Sequence, residues 1–508
     1  MSLVIKPYQI ERLIDRPLAC IDDIIYTLAK WKNIECYYMF IDRWNFEILD
    51  CSRDILGEIF TSKYSINENY LMNYHGIKIH EKKVKTYLEL LRIFEDELLI
   101  GNPIMVIFDA YSCPWDQFYE KYHNTHRCIV IGIDFEKEII IMCDPYNNIE
   151  KEEVSFEQYK NGYSEYYYIV EYIDETNCNV TDFDKLNMLK RSLSDKNKMI
   201  LDIHNYADIF MNNFNPQNEL NGADHYFGTP LYTNLNILIW NRWTYALLVK
   251  HLSVNNEQLM DAYVDIKNIA LLWNNIKLMI AKSFYIENYA QYIKRIAEKI
   301  HNVALIEESV YKKLDDIFEL KRNGNICKTT QFNVDNSKIL PVPLTDFFNN
   351  KGICYSNAQK VADFTGAKEY LVFSRRDLQK FKINAGNGFD FDNISCAGQV
   401  ISLNNIYAKY MIITGCSEWG DYEDLIIINN NRGKKIINIS MSDLSHEPRY
   451  GEQVLLSGKA YEYTENIVKI KQEHANIFQI KCSIFDEVNS FELPICPNIH
   501  IFSINIEL

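Results

Sequence analysis

Three stretches in the middle of the chain, "NILIWNRWTYALLVKHL", "QLMDAYVDIKNIALLWNNIKLMIAKSF" and "YIKRIAEKIHNVALIEESVYKKL", hold no glycine or proline. Their apolar residues recur at helical spacing. On both sides the texture changes to short runs rich in β-branched and aromatic residues, broken by turn residues, which is the signature of strands. At 508 residues the chain is too long for a single core, so this alternation marks domains. The expected architecture is a multidomain α+β protein with an α+β region at about residues 1–178, a helical bundle at 179–325 and an antiparallel β-sandwich at 331–508. "KRNGNICKTTQ" reads as the linker between the last two, and "NNNRG" (Asn429 to Gly433) as a hairpin turn inside the sandwich. The Trp and Met residues at helical spacing in the middle region read as core rather than as a cofactor box.

Charge and cysteine usage narrow the function. A net charge of −16 argues against nucleic-acid binding and against an anionic membrane surface. The opening segment "MSLVIKPYQIERLIDR" has charges scattered through it and is not expected to be a signal peptide, and no apolar run approaches a membrane span. Thirteen cysteines occur with no C-x-x-C pair, which excludes the usual zinc-ribbon spacing and points to reduced thiols in a cytoplasm. No glycine-rich phosphate loop is present, so no nucleotide cofactor is expected.

One cysteine stands where chemistry is possible. In "RPLACIDDIIYTLAKW", the residues Ile21, Ile24, Ile25, Leu28 and Trp31 mark one face of a helix that Cys20 opens. Pro17 suits a helix start, and Asp22 and Asp23 suit the positive end of its dipole. Unpaired N–H groups at a helix start favour a thiolate, whereas Cys20 read alone is better explained as a small core residue. Further on, "THRCIVIGIDFEKEIIIMCDPY" reads as a hairpin. A turn centred on Phe135 sets His126 directly opposite Asp144, on one face of the sheet. A histidine held by a carboxylate has one ring nitrogen fixed and the other free, as a general base requires. Read singly, His126 is a histidine at a strand end and Asp144 the turn residue of an Asp-Pro pair. A cysteine at a helix start, with His and Asp far downstream on paired strands, is the papain-like order of parts. His123 is a competing base, to which the hairpin argument gives no carboxylate.

The stretches "PLACIDDIIYTLAKW" and "GNPIMVIFDAYSCPWDQFYEKYHNTHRCIVIGID" resemble the N-terminal-domain family of butirosin biosynthesis protein H, a branch of the C39-like, papain-fold cysteine proteins. The second stretch matches that pattern at Gly101, Pro103, Asp109, Tyr111, His126, Gly132 and Asp134, over about the first third of the chain. The resemblance implies ATP-independent transfer of an acyl group from a carrier-protein thioester to an amine, in nonribosomal-peptide-type natural-product biosynthesis. It implies Cys20 as the acyl-accepting nucleophile, His126 as the base and Asp144 as the orienting carboxylate. No metal or other cofactor is implied beyond the phosphopantetheine arm of the carrier, which belongs to the substrate. The C-terminal pieces "FFNNKGICYS", "ADFTG" and "NIHIFSINIEL" look like jelly-roll sandwiches, with a packing or partner-binding role expected.

The sequence departs from the papain-like pattern at Ile14, where such enzymes place a Gln that helps build the oxyanion hole. Tyr111, Asn124 and Asp109 are the candidates for the missing donor or for substrate binding. An acidic carrier needs a local basic patch, for which "KRSLSDKNK" (Lys190 to Lys198) and "YIKRIAEK" (Lys294, Arg295, Lys299) are the candidates, though each alone reads better as a solvated helix face. Three functions share these residues: an acyltransferase acting on a carrier-bound acyl group and a small-molecule amine, a C39-like cysteine peptidase or amidase, and a noncatalytic carrier-binding scaffold.

Overall fold

The structure is a computed structural model that describes residues 2–5, 10–14, 19–49, 53–173, 188–193, 195–253, 257–286, 290–320, 339–354, 362–381, 383, 390–431, 433–464 and 467–508. It is a mixed helix-and-sheet protein, as the α+β reading expects. The segment "KRNGNICKTTQ" and the residue Pro17 lie outside the described residues. Packing divides the chain into two compact units, one of Met1–Trp44, Tyr64–Ser194 and Trp243–Tyr263, the other of Asn45–Lys63, Asp195–Arg242 and Val264–Leu508.

The first unit is built on a seven-stranded antiparallel sheet. Its elements are β1 (Ser2–Val4), α1 (Cys20–Trp31), α2 (Glu68–His75), β2 (Ile77–Lys83), α3 (Tyr87–Leu99), β3 (Ile104–Asp109), β4 (Thr125–Asp134), β5 (Ile139–Asp144), β6 (Ile149–Ser155) and β7 (Tyr163–Tyr172). The strand order is β2-β7-β3-β4-β5-β6, with β1 beside the far end of β4. Gly101, at φ 84°, ends the chain's run out of α3, a left-handed turn that glycine takes without strain. Leu90 and Phe94 of α3 pack on Val106, Phe108 and Cys128 of the sheet.

The hairpin β4–β5 corrects the sequence reading in its register. The observed pairs are Ile133↔Ile140 near the turn and Ile129↔Cys143 further along, with a shift between Val130 and Gly132. A Cβ on Gly132 would stand 2.8 Å from the Leu3 carbonyl oxygen, so the irregularity sits where β1 approaches β4 most closely. His126 therefore pairs with Phe108 of β3 and is not the partner of Asp144.

The second unit contains α4 (Lys196–Asn213), most of α6 (Glu257–Ser283), α7 (Ala290–Leu320) and a ten-stranded sheet; α5 (Pro230–Leu252) is shared between the units. The long strands of this sheet are β8 (Val400–Ser417), β9 (Tyr422–Asn430), β10 (Gly433–Met441), β11 (Gln453–Tyr463), β12 (Val468–Glu492) and β13 (Ile499–Glu507). Asn430 pairs with Gly433, so "NNNRG" is the expected hairpin. β12 pairs with β8, β9 and β11 in turn, its register shifted at several bulges. Buried ion pairs join helices to this sheet: Lys282 of α6 to Glu418, and Lys299 of α7 to Asp424. Among the described residues no helix is long and apolar enough to cross a membrane.

Candidate active site

Cys20 is the first residue of α1, after an extended Ala19 that caps the helix without a side-chain hydrogen bond. At that position its N–H has no partner within the helix. The buried face of α1 includes Ile24, Ile25 and Leu28, as the periodicity predicts, and the helix packs against β4, the strand that carries His126. Asp22, which the sequence assigns to the dipole, is fully buried, and the Arg43 guanidinium donates to both of its carboxylate oxygens at 2.9 and 3.3 Å. Arg43 also donates to the Ser65 carbonyl at 2.6 Å and lies over the Tyr64 ring. The start of α1 is thus anchored by a buried ion pair two residues from the thiol.

The structure brings Cys20, His126 and Asp144 together. His126 Nε2 stands 2.7 Å from Asp144 Oδ2, and Cys20 lies close enough to the imidazole to act on it electrostatically. The contact with Asp144 is diagonal: Asp144 continues the ladder opposite Cys128, two residues along from His126 on the same face of β4. Of the ten described cysteines Cys20 is the only one that is not buried; Cys51, Cys178 and Cys327 lie outside the described residues.

Asp144 has no exposure to solvent and its oxygens are saturated. Trp115 Nε1 donates to Oδ2 at 2.7 Å, Asn147 Nδ2 donates to the same oxygen at 2.9 Å, and the Asn147 backbone N–H donates to Oδ1 at 3.2 Å. Burial pushes this carboxyl up, and the hydrogen bonds from His126, Asn147 and Trp115 outweigh it, so it titrates below the usual carboxylate range. Burial likewise disfavours a charged His126, but its hydrogen bond with Asp144 and the influence of Cys20 win and hold it well above the usual histidine range. Together the two directions describe an imidazolium paired with a carboxylate. Asp116 Oδ2 is 3.9 Å from His126 Nδ1, within ion-pair range but too far for a hydrogen bond, and the Tyr146 ring meets the imidazole edge to face.

Arg127 also reaches Cys20. Cys20 and Tyr168 act electrostatically on its guanidinium, while its Nε is buried with no hydrogen-bond partner. Trp115, Asp116, Asn147 and Arg127 were not anticipated from sequence. Only Asn147 had a signal, standing three residues after an Asp-Pro start, where an Asp side chain commonly caps its own turn.

The remaining candidates assemble elsewhere in the same unit. Asp109 Oδ1 accepts from the N–H groups of Tyr111 and Asn124, both at 3.1 Å, and its Oδ2 is 2.5 Å from His123 Nδ1. His123, stacked on an exposed Tyr111, therefore does have a carboxylate partner, contrary to the hairpin argument. Asp109, Tyr111, Asn124 and His123 form one surface cluster, whereas the described interactions of Cys20 are with His126 and Arg127. Ile14 is half-buried. Of the basic stretches, Lys299 is buried against Asp424 and so lies in no surface patch, and Lys196 and Lys198 are paired with Asp315 and Asp202.

Among the described residues one group has the donor set for a metal: Cys113, His126 and Cys128, all buried, with their donor atoms within 4.8 Å of one another. Cys113 follows β3 in the loop that also supplies Trp115, and Cys128 lies two residues beyond His126. No family model matches the chain, and none of the curated proteins matches it.

Proposed function

We propose that this chain is a cysteine-dependent acyltransferase. It forms an amide between a carrier-protein-bound acyl thioester and a small-molecule amine, without ATP, in natural-product biosynthesis of the nonribosomal-peptide type. The observation that carries the reading is the chain of interactions from a half-exposed Cys20 at a helix start through His126 to a buried, saturated Asp144. Because Asp144 engages Nε2, the nitrogen left for proton traffic is Nδ1. In the first step the Cys20 thiolate attacks the thioester carbonyl carbon. The tetrahedral intermediate expels the carrier thiolate, which takes a proton from the His126 imidazolium. In the second step the amine attacks the acyl-Cys20 carbonyl, His126 accepts the amine proton, and the Cys20 sulfur leaves as thiolate. The thioester is already activated, so neither step calls for a cofactor. Asp144 fixes the imidazole's orientation and stabilises its charged form.

The finer fold assignment belongs to the same proposal: a papain-like, C39-like domain over residues 1–178, resembling the N-terminal-domain family of butirosin biosynthesis protein H, and a jelly-roll sandwich over 331–508. Ten described cysteines, all free, support a reducing cytoplasm, and the net charge of −16 supports partners other than nucleic acid or membrane.

Intact-mass measurement tests the reading. Given an acyl-phosphopantetheinyl thioester without amine, the chain should gain the acyl mass on Cys20; adding amine should discharge it as amide. Free acid in both arms would make it a hydrolase. Amide formed by Cys20→Ala at the wild-type rate would end the proposal.

A further inference from the structure

We infer that Cys113, Cys128 and His126 form a binding site for one thiophilic metal ion of the Zn²⁺ class, with the fourth position left to a ligand from outside this cluster. The donor set is two sulfurs and one imidazole nitrogen, which suits zinc over the hard, oxygen-preferring cations. In a regular tetrahedron with Zn–S near 2.3 Å, two sulfurs stand about 3.8 Å apart. The three donors lie within 4.8 Å of one another, so closing on an ion asks each pair to shorten by no more than about 1 Å. His126 and Cys128 alternate with Arg127 along β4, which sends both side chains to one face, and Cys113 arrives from the loop after β3.

The surroundings complete the arrangement. Asp144 holds His126 at Nε2 and leaves Nδ1 to the ion, the carboxylate–histidine–metal relation that orients imidazole ligands. Cys20 lies within electrostatic reach of the same imidazole and is the one described cysteine that is not buried, so it marks the way in. The site stands whether or not Cys20 is catalytic. Its consequence rests on the acyltransferase reading: an ion there engages the imidazole of the base His126, so metal-bound and acylating states exclude each other.

The test uses the full chain, reduced and freed of metal by chelation, with Co²⁺ as the probe. The wild type should bind one Co²⁺ per chain, with a thiolate-to-cobalt charge-transfer band and tetrahedral d–d bands that Zn²⁺ abolishes by displacement. Zn²⁺ should also protect Cys20 from iodoacetamide until EDTA is added. Cys128→Ala should weaken Co²⁺ binding by at least roughly tenfold and remove the protection, while leaving the metal-free labelling rate of Cys20 unchanged. Cys113→Ala should do the same, which guards against misfolding of either variant. Cys20→Ala should keep the tetrahedral bands. Wild type without a charge-transfer band under excess Co²⁺ would overturn the site. So would protection of Cys20 that survives both alanine variants, since the ion would then sit on Cys20 and His126 alone. The cobalt titration involves no acyl transfer, so it fails or succeeds independently of the proposed reaction.

Discussion

His126 and Asp144 meet at 2.7 Å although they are not partners in the sheet. The imidazole crosses diagonally to a carboxylate that three other N–H donors already hold. That saturation decides what Asp144→Asn does. Trp115 and Asn147 Nδ2 hold the amide oxygen on the side of the imidazole, so the acceptor for Nε2–H remains while the negative charge that stabilises the imidazolium is lost. Acylation of Cys20 should fall by about 10²–10⁴-fold, as for loss of a positioned general base. Alkylation of Cys20 by iodoacetamide near pH 7, followed by peptide mapping, should slow in Asp144→Asn and in His126→Ala. In the wild type Cys20 should be the first of the thirteen cysteines labelled. Another cysteine labelled first, with Cys20 inert, would end the idea of an activated thiol.

The helix bearing Cys20 depends on Asp22 and Arg43, a pair with no solvent exposure on either side chain. Removing one member leaves the other charged and buried, so Asp22→Ala should destabilise the first unit by about 3–5 kcal/mol. The double variant Asp22→Leu with Arg43→Met should be much less destabilised than the sum of the single changes. Urea denaturation of the wild type, Asp22→Leu, Arg43→Met and the double variant measures this. Additive single effects would show that the two groups do not act as a pair.

The contact at the site's centre was legible in the sequence, but for an inexact reason. The apolar spacing after Cys20 located α1, and the polar turn between two β-branched runs located the hairpin. Centring the turn on Phe135 misplaced the register from the start: it would set Ile133 opposite Lys137, whereas Ile133 faces Ile140, and the irregularity between Val130 and Gly132 then moves the pairing by only one residue. The contact survives the slip because diagonal neighbours on one sheet face remain within reach of a histidine. Trp115, Asp116 and Arg127 were invisible for another reason: their roles follow from where a loop and a strand edge arrive in space. In the second unit, short apolar runs such as "NIFQIKCSIF" read as separate strands. The structure extends that run into β12, 25 residues long, whose bulges let one strand serve several partners.

His75 gives the first unit a pH dependence of its own. Its Nε2 accepts the Tyr38 N–H at 3.2 Å, which requires an unprotonated nitrogen. Burial, with His251 nearby, pushes its pKa down to about 3. An unfolded histidine takes up a proton near pH 6.5, so between pH 6.5 and about 3 the unfolded state binds one proton that the folded state refuses. Stability is therefore present above pH 6.5 and falls with acidification by about 1.4 kcal/mol per pH unit, or about 2 kcal/mol by pH 5. His75→Gln keeps an acceptor and cannot titrate. The difference between wild type and His75→Gln, from urea midpoints at pH 7 and pH 5, should show that loss in the wild type alone. A constant difference between the two pH values would mean that His75 is protonated in the folded state.

Arg127 is the strongest donor available where Ile14 replaces the expected glutamine. Its guanidinium interacts electrostatically with Cys20, and its Nε is buried with no partner, so the side chain carries an N–H already stripped of water in the neighbourhood of the residue that takes the acyl group. When the thioester carbonyl becomes an oxyanion, negative charge moves from the sulfur to an oxygen about one bond further out. A fixed cation there stabilises the new charge without reorganising. Arg127→Ala should cut acylation of Cys20 by about 10²–10³-fold, the usual effect of losing an oxyanion donor. Alkylation by iodoacetamide develops no oxyanion, so its rate should fall by less than about tenfold, reflecting only the lost cation beside the thiolate. Arg127→Gln should recover part of the acylation rate through its amide N–H, and none of the alkylation rate, because it restores a donor and no charge. Stopped-flow acylation and timed alkylation on the same preparations separate the two effects. Equal losses in both reactions would confine Arg127 to supporting the thiolate and leave the oxyanion to the backbone N–H of Cys20.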